Sequence, residues 1–118
     1  MFVRPPQAFR NKAESDPISE ALHQEVMEEK VGTLSRLNKK LEAAVDRLTR
    51  LEIEELPEED RQRLVHEAGE ALWHVVIQRE LVGLTGLKAF LDHMGVPKEV
   101  RLKTGPMPAH LKRPNNKP

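Results

Sequence analysis

Leu34, Leu37, Leu41, Ala44, Leu48 and Leu51 recur at alternating steps of three and four. Apolar groups in that register form one continuous stripe along an α-helix. Such a stripe must be covered by another helix, so the chain is committed to helix-on-helix packing. Upstream, Ile18, Leu22, Val26, Met27 and Val31 stay apolar, but the strict register would bring His23 and Lys30 into the stripe. The first half of this helix therefore faces something other than one straight partner.

Local signals bound the elements. Asp16 can accept from the orphan amides of a first turn, and Pro17 suits the first helical position because it lacks a donor there. The helical pattern then runs to about Glu54, with Gly32 inside it at a cost of about 1 kcal/mol relative to alanine. Gly32 marks either a weak point or a close approach of another backbone. Glu52, Glu54, Glu55, Glu58, Glu59 and Asp60 surround Leu56-Pro57. Proline stops one helix and opens the next, and acids suit the positive end of the second. Nothing in this run fixes the glycine-bent geometry of a calcium loop, so it reads as a capped, solvated turn.

A second helix is predicted from about Pro57 to Val82. Val65, Ala68, Leu72, Val75, Val76 and Arg79 share one of its faces, with Gly69, Trp73, Ile77 and Leu81 beside it. A helix this widely apolar is covered on more than one side. Gly83-Leu84-Thr85-Gly86 breaks it, with Thr85 as a plausible cap. A short helix follows from Leu87 to Met94, closed by Gly95, and Val96-Pro97 opens further turns ending near Thr104. The expected fold class is all-α: a long antiparallel helical hairpin with one or two short C-terminal helices packed on it. Residues 1–15 are expected to be a flexible basic arm, 16–104 a single helical domain, and 105–118 a flexible Pro-rich basic tail.

A short turn near residue 56 makes the two long helices antiparallel, and facing positions should then sum to about 112 at equal rise per residue. That register places Ala43 and Ala44 opposite Ala68 and Gly69. It places Arg79 near Thr33 and within a turn of Glu29, predicting a partly buried ion pair with Glu29, Glu28 or Glu25. The alternative is that Arg79 waits in a cleft for an anionic ligand. The second helix ends opposite residue 30 or so, leaving the start of the first uncovered. The short C-terminal helices are expected to fold back over it and bury Leu22, Val26, Leu87, Phe90, Leu91 and Val100. Apolar groups on several sides of a long rod also point to self-association.

The chain has no cysteine among its 118 residues, which excludes a disulfide scaffold, a thiolate metal site and a cysteine nucleophile. That fits a reducing, cytoplasmic setting. Met1 to Pro6 carries no apolar signal-peptide core, and the longest uncharged apolar-rich run, Ala71 to Gln78, is far short of the roughly 20 residues a membrane span needs. Residues 97–118 hold six Lys/Arg against one Glu, and residues 16–96 hold ten against seventeen Asp/Glu. Basic ends on an acidic body suggest polyanion binding or ends lying against the body, though solvated tails account for them as well. Interleaved aromatics and a recognition-helix pattern are absent, so nucleic acid is not the expected partner.

For chemistry, Glu20-Ala21-Leu22-His23 has the Glu-x-x-His spacing of di-iron helical bundles. Such a site needs a second copy of the motif and two further glutamates. Glu67, Glu70 and His74 fall opposite residues 38 to 45, so only an offset dimer could complete it. Glu70 and His74 lie four apart and form a helical surface pair, with no nucleophile placed near them. The leading expectation is a non-enzymatic helical interaction or structural module acting as a homodimer, with another protein as a possible partner. It takes no cofactor and no metal, and Arg79, Glu29 and His74 are its candidate buried polar binding groups. The alternative is a metal-binding or catalytic bundle assembled across a dimer from Glu20, His23 and acidic residues.

The stretch Gln78-Arg79-Glu80, Gly83-Leu84 and Gly95-Val96-Pro97-Lys98-Glu99-Val100 resembles a group of short bacterial all-helical proteins known only as a domain of unknown function. His23 to Lys30, Leu34-x-x-Leu37 and Arg4-Pro5-Pro6-Gln7 extend the resemblance over most of the chain except its carboxyl tail. It implies a single cytoplasmic bacterial domain and carries no activity or site residue.

Overall fold

The computed structural model describes residues 16–52 and 55–112; the predicted arm 1–15 and the end of the tail, 113–118, lie outside the described residues. Helix α1 spans Pro17–Glu52. Asp16 starts it as the sequence predicts: its carboxylate accepts from the Ile18 amide at 3.1 Å and from the Ser19 hydroxyl at 3.3 Å. Those bonds satisfy donors that the first turn leaves orphaned.

Helix α2 spans Glu58–Val82, with extended Pro57 before it and Glu58, Glu59 and Asp60 in its first turn. Glu55 helps to reverse the chain by taking a left-handed conformation, φ 48°. At the far end, Gly83 takes φ 88°, the Leu84 amide donates to the Arg79 carbonyl at 2.9 Å, and the Gly83 amide reaches Glu80. This pair of bonds is a Schellman closure, which favours glycine at the left-handed position. Helix α3, Leu87–Met94, closes the same way: Gly95 is left-handed and the Val96 amide donates to the Leu91 carbonyl at 3.1 Å. Leu91 and Val96 are both buried, completing the apolar contact that accompanies this motif. The residue before α3 is left-handed Gly86 rather than the predicted cap Thr85, whose carbonyl is used elsewhere. Helix α4, Lys98–Leu102, follows Pro97.

α1 and α2 pack along their length as an antiparallel pair. The core draws Leu34, Leu41, Ala44 and Leu48 from α1 and Val65, Ala68, Leu72 and Val75 from α2. Leu37 packs at the edge of this core, so the heptad stripe from Leu34 to Leu48 is used as its spacing predicts. Each fully buried Leu or Val removes enough apolar surface to stabilise the fold by about 1.5–3 kcal/mol. The fold is all-α among the described residues.

Two expectations about the C-terminal third are overturned. The short helices do not fold back over the start of α1; α4 packs against α2. Leu91 and Val100 are buried as predicted, but Leu22 and Val26 are not, and Leu87 stands at the exposed edge. The physical reason lies at Gly69, whose missing side chain admits the main chain of Lys103. Gly69 therefore serves α2 against α4 rather than α2 against α1. Glu99 on α4 pairs with Arg61 on α2 and holds the same docking.

Nor is the tail free from residue 105. It returns along α2 and ends in a single 3₁₀ turn, Ala109–Leu111, with Leu111 buried. Three main-chain contacts fix it: the Gly105 amide meets the Gly69 carbonyl at 3.4 Å, the Met107 amide donates to Glu70 at 3.3 Å, and Arg63 Nε donates to the Leu111 carbonyl at 3.0 Å. Satisfying these polar groups and burying one leucine offsets the chain entropy that the prolines alone would leave unopposed.

Candidate functional site

α1 is 36 residues long and α2 is 25, so the pair cannot cover each other end to end. Two contacts give the register: Arg47 pairs with Glu67, and Gln78 Nε2 donates to the Lys30 carbonyl at 3.0 Å. These sum to 114 and 108, bracketing the predicted 112. Gln78 lies beside Lys30 and α2 ends one turn later at Val82, so residues 17 to about 26 of α1 project past it. On that projection Ile18 is 71% exposed, Leu22 58% and Val26 50%. Ile77, Leu81, Leu84 and Leu87, at and just beyond the end of α2, are exposed as well. Apolar groups in this number are unusual on the surface of an isolated domain and mark interaction sites.

The second feature is a groove of about 360 Å³ where α1, α2 and the returning tail meet. Ala44 and Ala71 line its apolar part, Met107 and Leu111 come from the tail, and Lys40 and Lys112 are among its charged groups. Its existence depends on the docked tail, which sequence reasoning missed. No periodic signal marks that segment, and its anchors are main-chain groups.

The sequence-predicted polar residues are scattered. Arg79 is buried, 9% exposed, but no carboxylate among the described residues holds it. Its Nη2 donates to the Thr85 carbonyl at 2.8 Å, and its guanidinium carbon lies 4.3 Å from the centre of the Phe90 ring. A carbonyl at the end of α2 and an aromatic face supply what the sequence assigned to Glu29. Glu29 is exposed and sits 3.9 Å from Arg36 on its own helix. His74 is half-buried, stacks at a tilt on Trp73 with ring centres 5.4 Å apart, and borders the groove. Glu70 turns to the Met107 amide, and Glu20 and His23 stand exposed on the projecting start of α1. Among the described residues no three His, Asp or Glu side chains are grouped to hold a metal ion. No described helix is long and apolar enough to cross a membrane.

Two titrating groups are shifted where the C-terminal third docks. Burial, with Lys103 and His110 nearby, pushes the His66 imidazole below its ordinary value. Hydrogen bonds from Arg101 and Lys88 hold the Asp92 carboxyl below the usual carboxylate range. Arg101 also donates to the Val96 carbonyl at 3.0 Å, so Asp92 braces α3 against α4.

No curated protein and no solved structure matches the chain. A family of unknown function, DUF6665, matches residues 7–112, a span that takes in both long helices, the short C-terminal helices and the docked tail. The resemblance seen in the sequence is thereby met over nearly the whole chain, and the protein belongs to this family of unknown function.

Proposed function

We propose that the chain is a non-enzymatic helical interaction module that works as a homodimer, each copy using the projecting start of α1 as its docking arm. The observation that carries this reading is the row Ile18, Leu22 and Val26, exposed on a helix that outruns its only long partner. A second copy is the favoured occupant because the chain holds both halves of the needed chemistry. Residues 16–29 contain five acids and no Lys or Arg. Residues 87–103 hold Lys88, Lys98, Arg101 and Lys103 against Asp92 and Glu99. A two-fold arrangement sets each acidic, apolar arm against its partner's Leu81, Leu84 and Leu87 and the basic residues beyond them, burying one set of surfaces twice.

Sedimentation of the full chain at tens of micromolar tests the proposal. The expected species has twice the 13.5 kDa chain mass. The double variant Leu22→Gln, Val26→Gln should sediment as single chains with its helical circular dichroism retained, since both side chains are exposed in the monomer. A parent chain that sediments only at 13.5 kDa overturns the dimer.

A further inference from the structure

We propose that the groove between α1, α2 and the returning tail is a binding site for a small organic acid, a carboxylate carried on a short apolar body. The volume, about 360 Å³, lies toward the small end of the roughly 300–1,000 Å³ typical of small-molecule sites. Two small side chains, Ala44 and Ala71, make the space: both are nearly fully buried, and neither fills the gap between the helices. Met107 and Leu111 close one side and present apolar surface to it. That side is held in place, because Glu70 accepts from the Met107 amide and Arg63 donates to the Leu111 carbonyl. A pre-formed wall lowers the ordering cost of binding.

The charges decide what such a space would take. Four Lys or Arg line the groove against two Glu. Arg47 is already paired with Glu67, and Arg63 with Asp60 at 3.0 Å. Glu70 accepts from the tail amide and keeps its negative charge, which two further cations outweigh. Lys40 and Lys112 make no ion pair among the described residues, and both are exposed at the groove. The net uncommitted charge is therefore positive and lies beside an apolar space. A bare inorganic anion would leave Ala44, Ala71 and Met107 unused, and an apolar cation would meet Lys40 and Lys112. An anion with an apolar body uses both halves.

The full chain, labelled with nitrogen-15, is titrated with octanoate, with octylammonium and with inorganic phosphate while its amide resonances are followed. Octanoate should give saturable shifts confined to residues 40–47, 67–74 and 107–112. The other two probes should give none there at the same concentrations. Lys40→Gln combined with Lys112→Gln should weaken octanoate about tenfold and leave the melting temperature unchanged, since neither lysine is committed to the fold. The proposal is overturned by octylammonium or phosphate saturating the groove as readily as octanoate, or by octanoate shifts that map to residues 18–31 or never saturate. Unaltered octanoate affinity in the double variant overturns it too.

Discussion

Gly69 and Lys103 meet main chain to main chain. A β-carbon placed on Gly69 would stand 2.8 Å from the Lys103 carbonyl carbon and closer still to its oxygen. The other glycine inside a long helix, Gly32, has only the end of the Arg36 side chain near it, at 3.7 Å. The same substitution should therefore have opposite signs at the two positions. Gly69→Ala gains about 1 kcal/mol of helix propensity but forces α4 away at a cost of about 1–3 kcal/mol, and the cost should win because the obstacle is backbone. Gly32→Ala meets only a flexible side chain and should stabilise by about 0.5–1 kcal/mol. Urea denaturation of both variants checks this; a Gly69→Ala chain more stable than the parent would show that α4 does not dock there.

Arg79 joins the end of α2 to α3 through one carbonyl and one ring. Arg79→Met keeps apolar bulk but loses the bond to the Thr85 carbonyl and the cation over Phe90, so it should cost about 1–2 kcal/mol. Arg79→Lys should recover only part of that, since an ammonium lacks the flat face that stacks on the ring. Hydrogen exchange should locate the loss at residues 83–91. Exchange that instead quickens around Glu29 would restore the ion pair the sequence suggested.

His66 ties stability to pH. Its imidazole is held below its ordinary value in the folded chain, so above about pH 6.5 it is neutral in both states and contributes no pH dependence. As pH falls below that value the unfolded chain takes up the proton first, and stability should decline until the folded imidazole is protonated as well. His66→Gln should flatten this decline. Asp92 acts in a separate, more acidic window: its lowered carboxyl supports the fold above the ordinary aspartate range, and that support is lost as pH drops through the lowered value. Denaturation midpoints collected from pH 8 to pH 3 would separate the two, and an unaltered slope near pH 6 in His66→Gln would refute the first.

Asn38 buries its side-chain oxygen without a hydrogen-bond donor among the described residues, beside Leu34 and Met94. A stranded buried acceptor costs about 1–3 kcal/mol, and leucine keeps the branched shape while its extra bulk has room in the open hollow beside Leu34 and Met94. Asn38→Leu should accordingly raise the stability of the fold by about 1 kcal/mol. Thermal melts test it, and a lower midpoint would mean that the amide is satisfied in solution.

What the sequence displays is what local chemistry encodes. Asp16-Pro17, Pro57, Gly83 and Gly95 act within one turn of themselves, and the helix limits they predict are met to within a few residues. The heptad stripe repeats often enough to name its own core. The placement of the C-terminal third is not legible in this way. It depends on Glu99 meeting Arg61 and on Arg63 meeting the Leu111 carbonyl, pairs 38 and 48 residues apart. Nor could side-chain types reveal that Arg79 would satisfy itself on a main-chain carbonyl. The groove escaped notice for the same reason, being walled by a segment that composition alone would leave in solvent.

Ile18, Leu22 and Val26 are spaced by four throughout, and the same spacing continues through Lys30 into the buried Leu34. Four residues overshoot a full helical turn by about 40°, so this row winds across the rod instead of running straight along it. Two such rows interlock best when their helices cross at about 50°, far steeper than the near-parallel seam between α1 and α2. Ile77 and Leu81 are four apart as well, so an arm laid across its partner's α2 would cross it steeply, giving a splayed dimer and not an end-to-end extension of the rod. Small-angle scattering of the dimer would tell these outlines apart.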